Sequence, residues 1–61
     1  MKSSFYTRFY TEEEPNKPHY WRHKNDTIGR CLKDCKDYPN IIKAEILNQE
    51  GKIVFYYTKE N

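Results

Sequence analysis

One helix-forming stretch, and only one, constrains what this 61-residue chain can fold into. In TIGRCLKDCKDYP, residues 27–39, Ile28, Cys31, Leu32 and Cys35 recur at i, i+3, i+4 and i+7 and so form a single apolar stripe along a helix. Asn25, Asp26 and Thr27 are the candidates to cap its first turn, because a short polar side chain can accept a backbone N–H that has no partner inside the helix. Pro39 ends it, since the residue before proline is pushed out of helical geometry. Gly29 costs about 1 kcal/mol relative to alanine in a helix, which leads us to expect close packing there. A lone striped helix must bury its stripe against something else, and everything around it alternates like strand.

SFYTRFYT, residues 4–11, places Phe5, Thr7 and Phe9 on one face and Tyr6, Arg8 and Tyr10 on the other, in residue types that favour strands. EEEPNKP, residues 12–18, is a loop broken by two prolines. HYWRHK, residues 19–24, reads as a second strand with Trp21 and His23 opposed to Tyr20 and Arg22. After the helix, IIKAEILN, residues 41–48, sets Ile42, Ala44 and Ile46 against Ile41, Lys43, Glu45 and Leu47. Asn48–Gly51 suits a type I turn closed by a left-handed glycine, and IVFYYTK, residues 53–59, is the fourth strand. The order ββαββ predicts an α+β fold: a two-layer sandwich in which one helix packs on a four-stranded, mostly antiparallel sheet, as a single small domain over residues 1–61. The pattern leaves the strand order open.

A chain this short buries only about 60% of its unfolded surface on folding, so a second copy, a metal or a disulfide would be a natural reinforcement. Within HYWRHKNDTIGRCLKDC, residues 19–35, two histidines and two cysteines fall at the same spacing, His19-x3-His23 and Cys31-x3-Cys35. Zinc would require all four ligand atoms within roughly 4 Å of one another. The cysteines meet this on adjacent helical turns, but histidines four residues apart on a strand lie about 13 Å apart at 3.3 Å per residue. No metal and no other cofactor is therefore expected. A disulfide between neighbouring turns of one helix is disfavoured by its geometry. The cysteines are expected to be small buried hydrophobes in a reducing cytoplasm, and the histidines surface residues.

No apolar run approaches the roughly 20 residues a bilayer requires, and Met1-Lys2 leads into Ser, Phe, Tyr and Arg rather than an apolar leader segment. We expect a soluble, cytoplasmic protein without a membrane partner. Net charge is +2, with an acidic block at Glu12–Glu14 and a net basic middle, a balance too weak to indicate nucleic acid by itself. An enzyme needs a nucleophile with its base, paired carboxylates or an open metal position. The cysteines sit on the apolar stripe and the glutamates cluster as like charges, so catalysis is not expected.

If the helix covers Phe5, Phe9, Ile42, Ala44, Ile46, Ile53, Phe55 and Tyr57, the other face of the sheet presents Tyr6, Arg8, Tyr10, Tyr20, Arg22, Lys43, Leu47, Val54 and Tyr56. Tyrosine and arginine together are the mixture enriched at protein interfaces. Tyr6, Arg8, Tyr10, Tyr20, Arg22 and Tyr56 are accordingly the expected contact residues, for a protein target or for a second copy forming a homodimer. A strand edge is a second route to the same end. The alternative is single-stranded nucleic acid, with bases stacked on the aromatics and Arg8, Arg22 and Lys43 on phosphates. Glu45 interrupts that surface, and the positive net charge argues against a mimic of DNA, which requires dense negative charge. In size and in its bias toward residues with AT-rich codons, the chain resembles in a general way the small early proteins by which phages block or redirect host proteins. That resemblance implies a non-catalytic inhibitor or regulator.

Overall fold

The structure, a computed structural model, describes residues 4–59. Its elements are β1 (Tyr6–Thr11), β2 (His19–Tyr20), α1 (Ile28–Asp37), β3 (Ile41–Leu47) and β4 (Ile53–Thr58). The strands form one antiparallel sheet in the order β2-β1-β3-β4, with α1 inserted in sequence between β2 and β3 and packed on one face. The expected α+β arrangement of one helix on a four-stranded sheet is thus the observed one.

Local chemistry sets the ends of the elements. Thr27 is the helix cap, its Oγ1 accepting the Arg30 N–H at 3.2 Å. At the β3–β4 turn, Asn48 Oδ1 accepts the N–H groups of Glu50 and Lys52 at 2.9 and 3.0 Å, and Gly51 donates to the Asn48 carbonyl at 3.0 Å. Gly51 takes φ +83°, the left-handed conformation that only glycine adopts without steric cost. Gly29 differs from expectation: a Cβ there would meet only Thr27 Oγ1, at 4.0 Å, so the position is not closely packed.

The core is small. Cys31, Cys35, Ile41, Ala44, Ile46 and Thr7 are almost inaccessible, with Phe9, Trp21 and Tyr57 packed against the cluster of Cys35, Ile41 and Ala44. The two helical cysteines are free thiols inside this core, and burial pushes the Cys35 thiol up to about 11.

Two register shifts correct the expected faces. Tyr10 pairs with Lys43, but Thr11 pairs with Ile41, so Ile42 is the extra residue of a bulge on β3. Past the bulge the alternation inverts, and Ile41 rather than Ile42 enters the core. A second shift pairs Ile46 with Phe55 and Leu47 with Ile53, leaving Val54 as the extra residue on β4. Ile53 therefore sits beside Leu47 on the face away from the helix, not beneath the helix as simple alternation had it.

The second strand is also shorter than expected. Ladder pairing joins only His19 to Phe9 and Tyr20 to Arg8, extended by the Trp21 N–H donating to the Thr7 carbonyl at 2.9 Å. Beyond Trp21 the chain bends away and comes back at an isolated bridge between Asn25 and Phe5, the residue just before β1. Aromatic packing accompanies the departure: Trp21 meets Phe9 edge-on at 5.1 Å between centroids and lies against Tyr38, after the helix, at 5.2 Å.

Candidate binding surface

The face opposite the helix is organised in rows, because paired residues on neighbouring strands point the same way. One row crosses all four strands: Tyr20 on β2 pairs with Arg8 on β1, Arg8 with Glu45 on β3, and Glu45 with Tyr56 on β4. On either side lie the rows Tyr6–Leu47–Ile53 and Tyr10–Lys43–Thr58. Five of the six expected contact residues, Tyr6, Arg8, Tyr10, Tyr20 and Tyr56, are thereby brought together.

Arg22 is not among them. With β2 ending at Tyr20, Arg22 lies beyond the ladder and lines a depression together with Tyr20, Trp21 and His23. It is therefore not paired into the row that Tyr20 begins, because β2 ends before it.

Charges on this face are consumed within the chain. Arg8 holds Glu45 Oε1 with both Nε and Nη2 at 2.7 Å, and the Tyr10 hydroxyl approaches the same oxygen at 3.5 Å. Glu45 first, and the Tyr20 hydroxyl next, hold the Arg8 guanidinium even above its usual high range. Lys43 Nζ lies 4.6 Å from the centroid of the Tyr10 ring, and Lys24 Nζ 5.3 Å from that of Tyr6. The two ends of the long row are different: Tyr20 and Tyr56 remain 64% and 66% exposed.

A second feature was not anticipated. Phe9, Trp21, Tyr38 and Ile41 line an open-mouthed, largely apolar depression of about 460 Å³, with Tyr20, Arg22, His23 and Asn40 around it. It brings together residues from β1, the segment after β2 and the segment after α1. In the sequence Tyr38 is simply the residue before Pro39, and no local pattern links it to Trp21.

The matched histidine and cysteine spacings separate in space. His19 stacks on Phe9 at 5.4 Å between centroids, half-buried rather than on the surface, and its Nε2 lies 3.1 Å from Glu14 Oε1, outside hydrogen-bonding geometry. His23 Nε2 lies 3.2 Å from Asp34 Oδ2, the oxygen that also accepts from Asn25 Nδ2 at 2.8 Å. Among the described residues no group of three or more His, Cys, Asp or Glu side chains could hold a metal ion, and no helix is long and apolar enough to cross a membrane. No family model, no curated protein and no solved structure matches the chain.

Proposed function

We propose that this chain is a non-catalytic protein-binding module, an inhibitor or regulator that docks on a partner protein through the open face of its sheet. The observation that carries the reading is the row Tyr20–Arg8–Glu45–Tyr56. Its inner pair is mutually neutralised and its outer pair is two exposed tyrosines. Tyrosine brings a large rigid contact area with a polar tip, and such residues dominate interface energetics when surrounded by groups that exclude water.

The same geometry favours protein over nucleic acid. A phosphate seeking Arg8 would have to displace Glu45 from two 2.7 Å contacts, and Lys43 and Lys24 already lie over rings. Nucleic-acid affinity rests on cations free to release counterions, and on this face they are engaged.

The test is affinity capture from cells of the source organism, with identification of bound protein and nucleic acid, followed by titration of the purified partner. Replacing Tyr20 and Tyr56 together by Ser is expected to weaken binding at least 100-fold while the unfolding midpoint moves little. Binding retained by the double variant refutes the assignment to this face. A complex that contains nucleic acid and dissolves steeply between low and physiological salt refutes the protein reading.

A further inference from the structure

The sheet has two edges, and they are not equivalent. At one end β2 is two residues long, too short to template another strand. At the other, β4 is six residues long, and Ile53, Val54, Phe55 and Tyr56 are all exposed. Edges of monomeric sheets are ordinarily blunted by proline, by charges within the strand, by a bulge or by a covering element; the bulge of β4 at Val54 lies toward one end and leaves Phe55 to Thr58 in regular pairing with β3. IVFYYT has no proline and no charge, and its lysines, Lys52 and Lys59, lie just outside it.

The pairing of β4 with β3 shows which backbone groups are free. The Lys59 N–H donates to the Ile42 carbonyl and the Asn48 N–H to the Lys52 carbonyl, each 2.9 Å. Antiparallel ladders alternate between hydrogen-bonded and non-bonded pairs. From Lys59 inward, Tyr57 and Phe55 therefore use their peptide groups toward β3, whereas Thr58 and Tyr56, opposite Lys43 and Glu45, aim theirs outward.

We infer that β4 is the dimerisation edge of this protein, pairing antiparallel with β4 of a second copy about a two-fold axis at Tyr56. A strand that meets its own copy across such an axis makes an isologous, closed contact, and the short β2 edges then terminate an eight-stranded sheet instead of propagating a fibre. Registry selects against repulsion. Placing Tyr56 opposite its own copy puts Phe55 opposite Tyr57 and Val54 opposite Thr58. Lys52 would face Lys59 only in a register offset by one residue, which would oppose an outward-aimed peptide group to one already bonded to β3. The axis at Tyr56 also joins the two Tyr20–Arg8–Glu45–Tyr56 rows end to end across the dimer.

The occupant is a second copy because the edge is uncharged and its outward peptide group at Tyr56 meets its own copy across the axis, with Phe55 and Tyr57 side by side on the helix side. Phe55 and Tyr56 leave roughly 250 Å² exposed between them, and the groove of Leu32, Lys36, Phe55 and Tyr57 between helix and β4 adds to it. That is well below the roughly 800 Å² per partner of a stable interface, so the dimer is a weak one in exchange with monomer.

Sedimentation velocity of the full chain from about 1 to 500 µM, combined with amide hydrogen exchange at both extremes, tests the inference. The expected result is a dimer at the upper end, with the Tyr56 and Thr58 amides becoming at least tenfold slower to exchange as concentration rises. Thr58→Pro, which removes an outward N–H and no bond to β3, and Tyr56→Lys, which sets like charges across the axis, are both expected to give monomers with an unchanged circular dichroism spectrum. A monomer at 500 µM overturns the inference. So does a dimer in which those two amides keep their monomer rates, a result that needs no variant to fold. Partner binding through the open face is read in a separate titration, so either conclusion can fail without the other.

Discussion

Exchanging isoleucine for alanine at positions 41 and 42 in turn tests the bulge on β3, because simple alternation and the structure assign opposite outcomes. Ile41 is 2% exposed and packs with Cys35 and Ala44, whereas Ile42, the extra residue of the bulge, is half-buried. Truncating a buried isoleucine to alanine costs about 2–5 kcal/mol, the transfer term plus the cavity left behind. For the half-buried side chain about 1 kcal/mol is at stake. A domain of 61 residues has a total stability of about 3–9 kcal/mol at the usual value per residue, so Ile41→Ala removes a large share of it and Ile42→Ala does not. Urea unfolding followed by tryptophan fluorescence is a suitable assay, since Trp21 packs against the same cluster. With a slope near 1 kcal/mol/M for so small a chain, Ile41→Ala moves the midpoint down by about 2 M or more and Ile42→Ala by about 1 M. Should Ile41→Ala leave no folded baseline, Ile41→Val, at about 0.5–1.5 kcal/mol, preserves the comparison against Ile42→Val. Equal losses at the two positions, or the larger loss at 42, would refute the bulge and with it the inverted face.

Two further outcomes follow from buried groups. Thr7 Oγ1 is buried with no hydrogen-bond partner among the described residues, so Thr7→Val, nearly the same shape without the hydroxyl, is expected to raise stability by about 1–2 kcal/mol in urea unfolding; a loss would show that the hydroxyl is satisfied. The Cys35 thiol is raised from 9.0 to about 11, first by burial and then by the neighbouring Cys31 and Asp34, so the fold favours its neutral form. Its contribution is constant below pH 9 and is lost as pH rises from 9 toward 11. Unfolding midpoints are expected to fall further between pH 8 and 10.5 in the parent than in Cys35→Ala, and identical slopes would refute the assignment.

The parts of the fold that depend on neighbouring residues were legible in the sequence. The stripe from Ile28 to Cys35, the cap at Thr27 and the left-handed Gly51 each follow from chemistry within a few positions. The bulges were not legible, because alternation is counted from one residue to the next and a single extra residue inverts everything beyond it without leaving a mark. That is why Ile42 and Ile53 were placed on the wrong faces while Ala44, Ile46 and Phe55 were not. The length of β2 was hidden for a different reason. HYWRHK has strand composition throughout, but Trp21 is held by Phe9 and Tyr38, one 12 residues before it and the other 17 after, and Arg22 lies beyond the ladder.

Helix size explains why this protein has both an exposed face and an exposed edge. α1 has ten residues, a cylinder about 15 Å long and 10 Å wide, and strands lie about 4.8 Å apart. One such cylinder spans roughly two strands of four, and α1 is seated chiefly over β3, with lesser contact to β1 and β4. On the β2 side the remainder is covered by aromatic side chains, Trp21 and Tyr38 closing over Phe9. On the β4 side nothing comparable is present among the described residues, and Phe55, although its register points it toward the helix, stays 45% exposed. The exposure of Phe55 is thus a consequence of helix width. A longer helix would not remedy it, since the shortfall is in width, whereas a second copy laid along β4 supplies both the missing strand partner and the missing cover for Phe55.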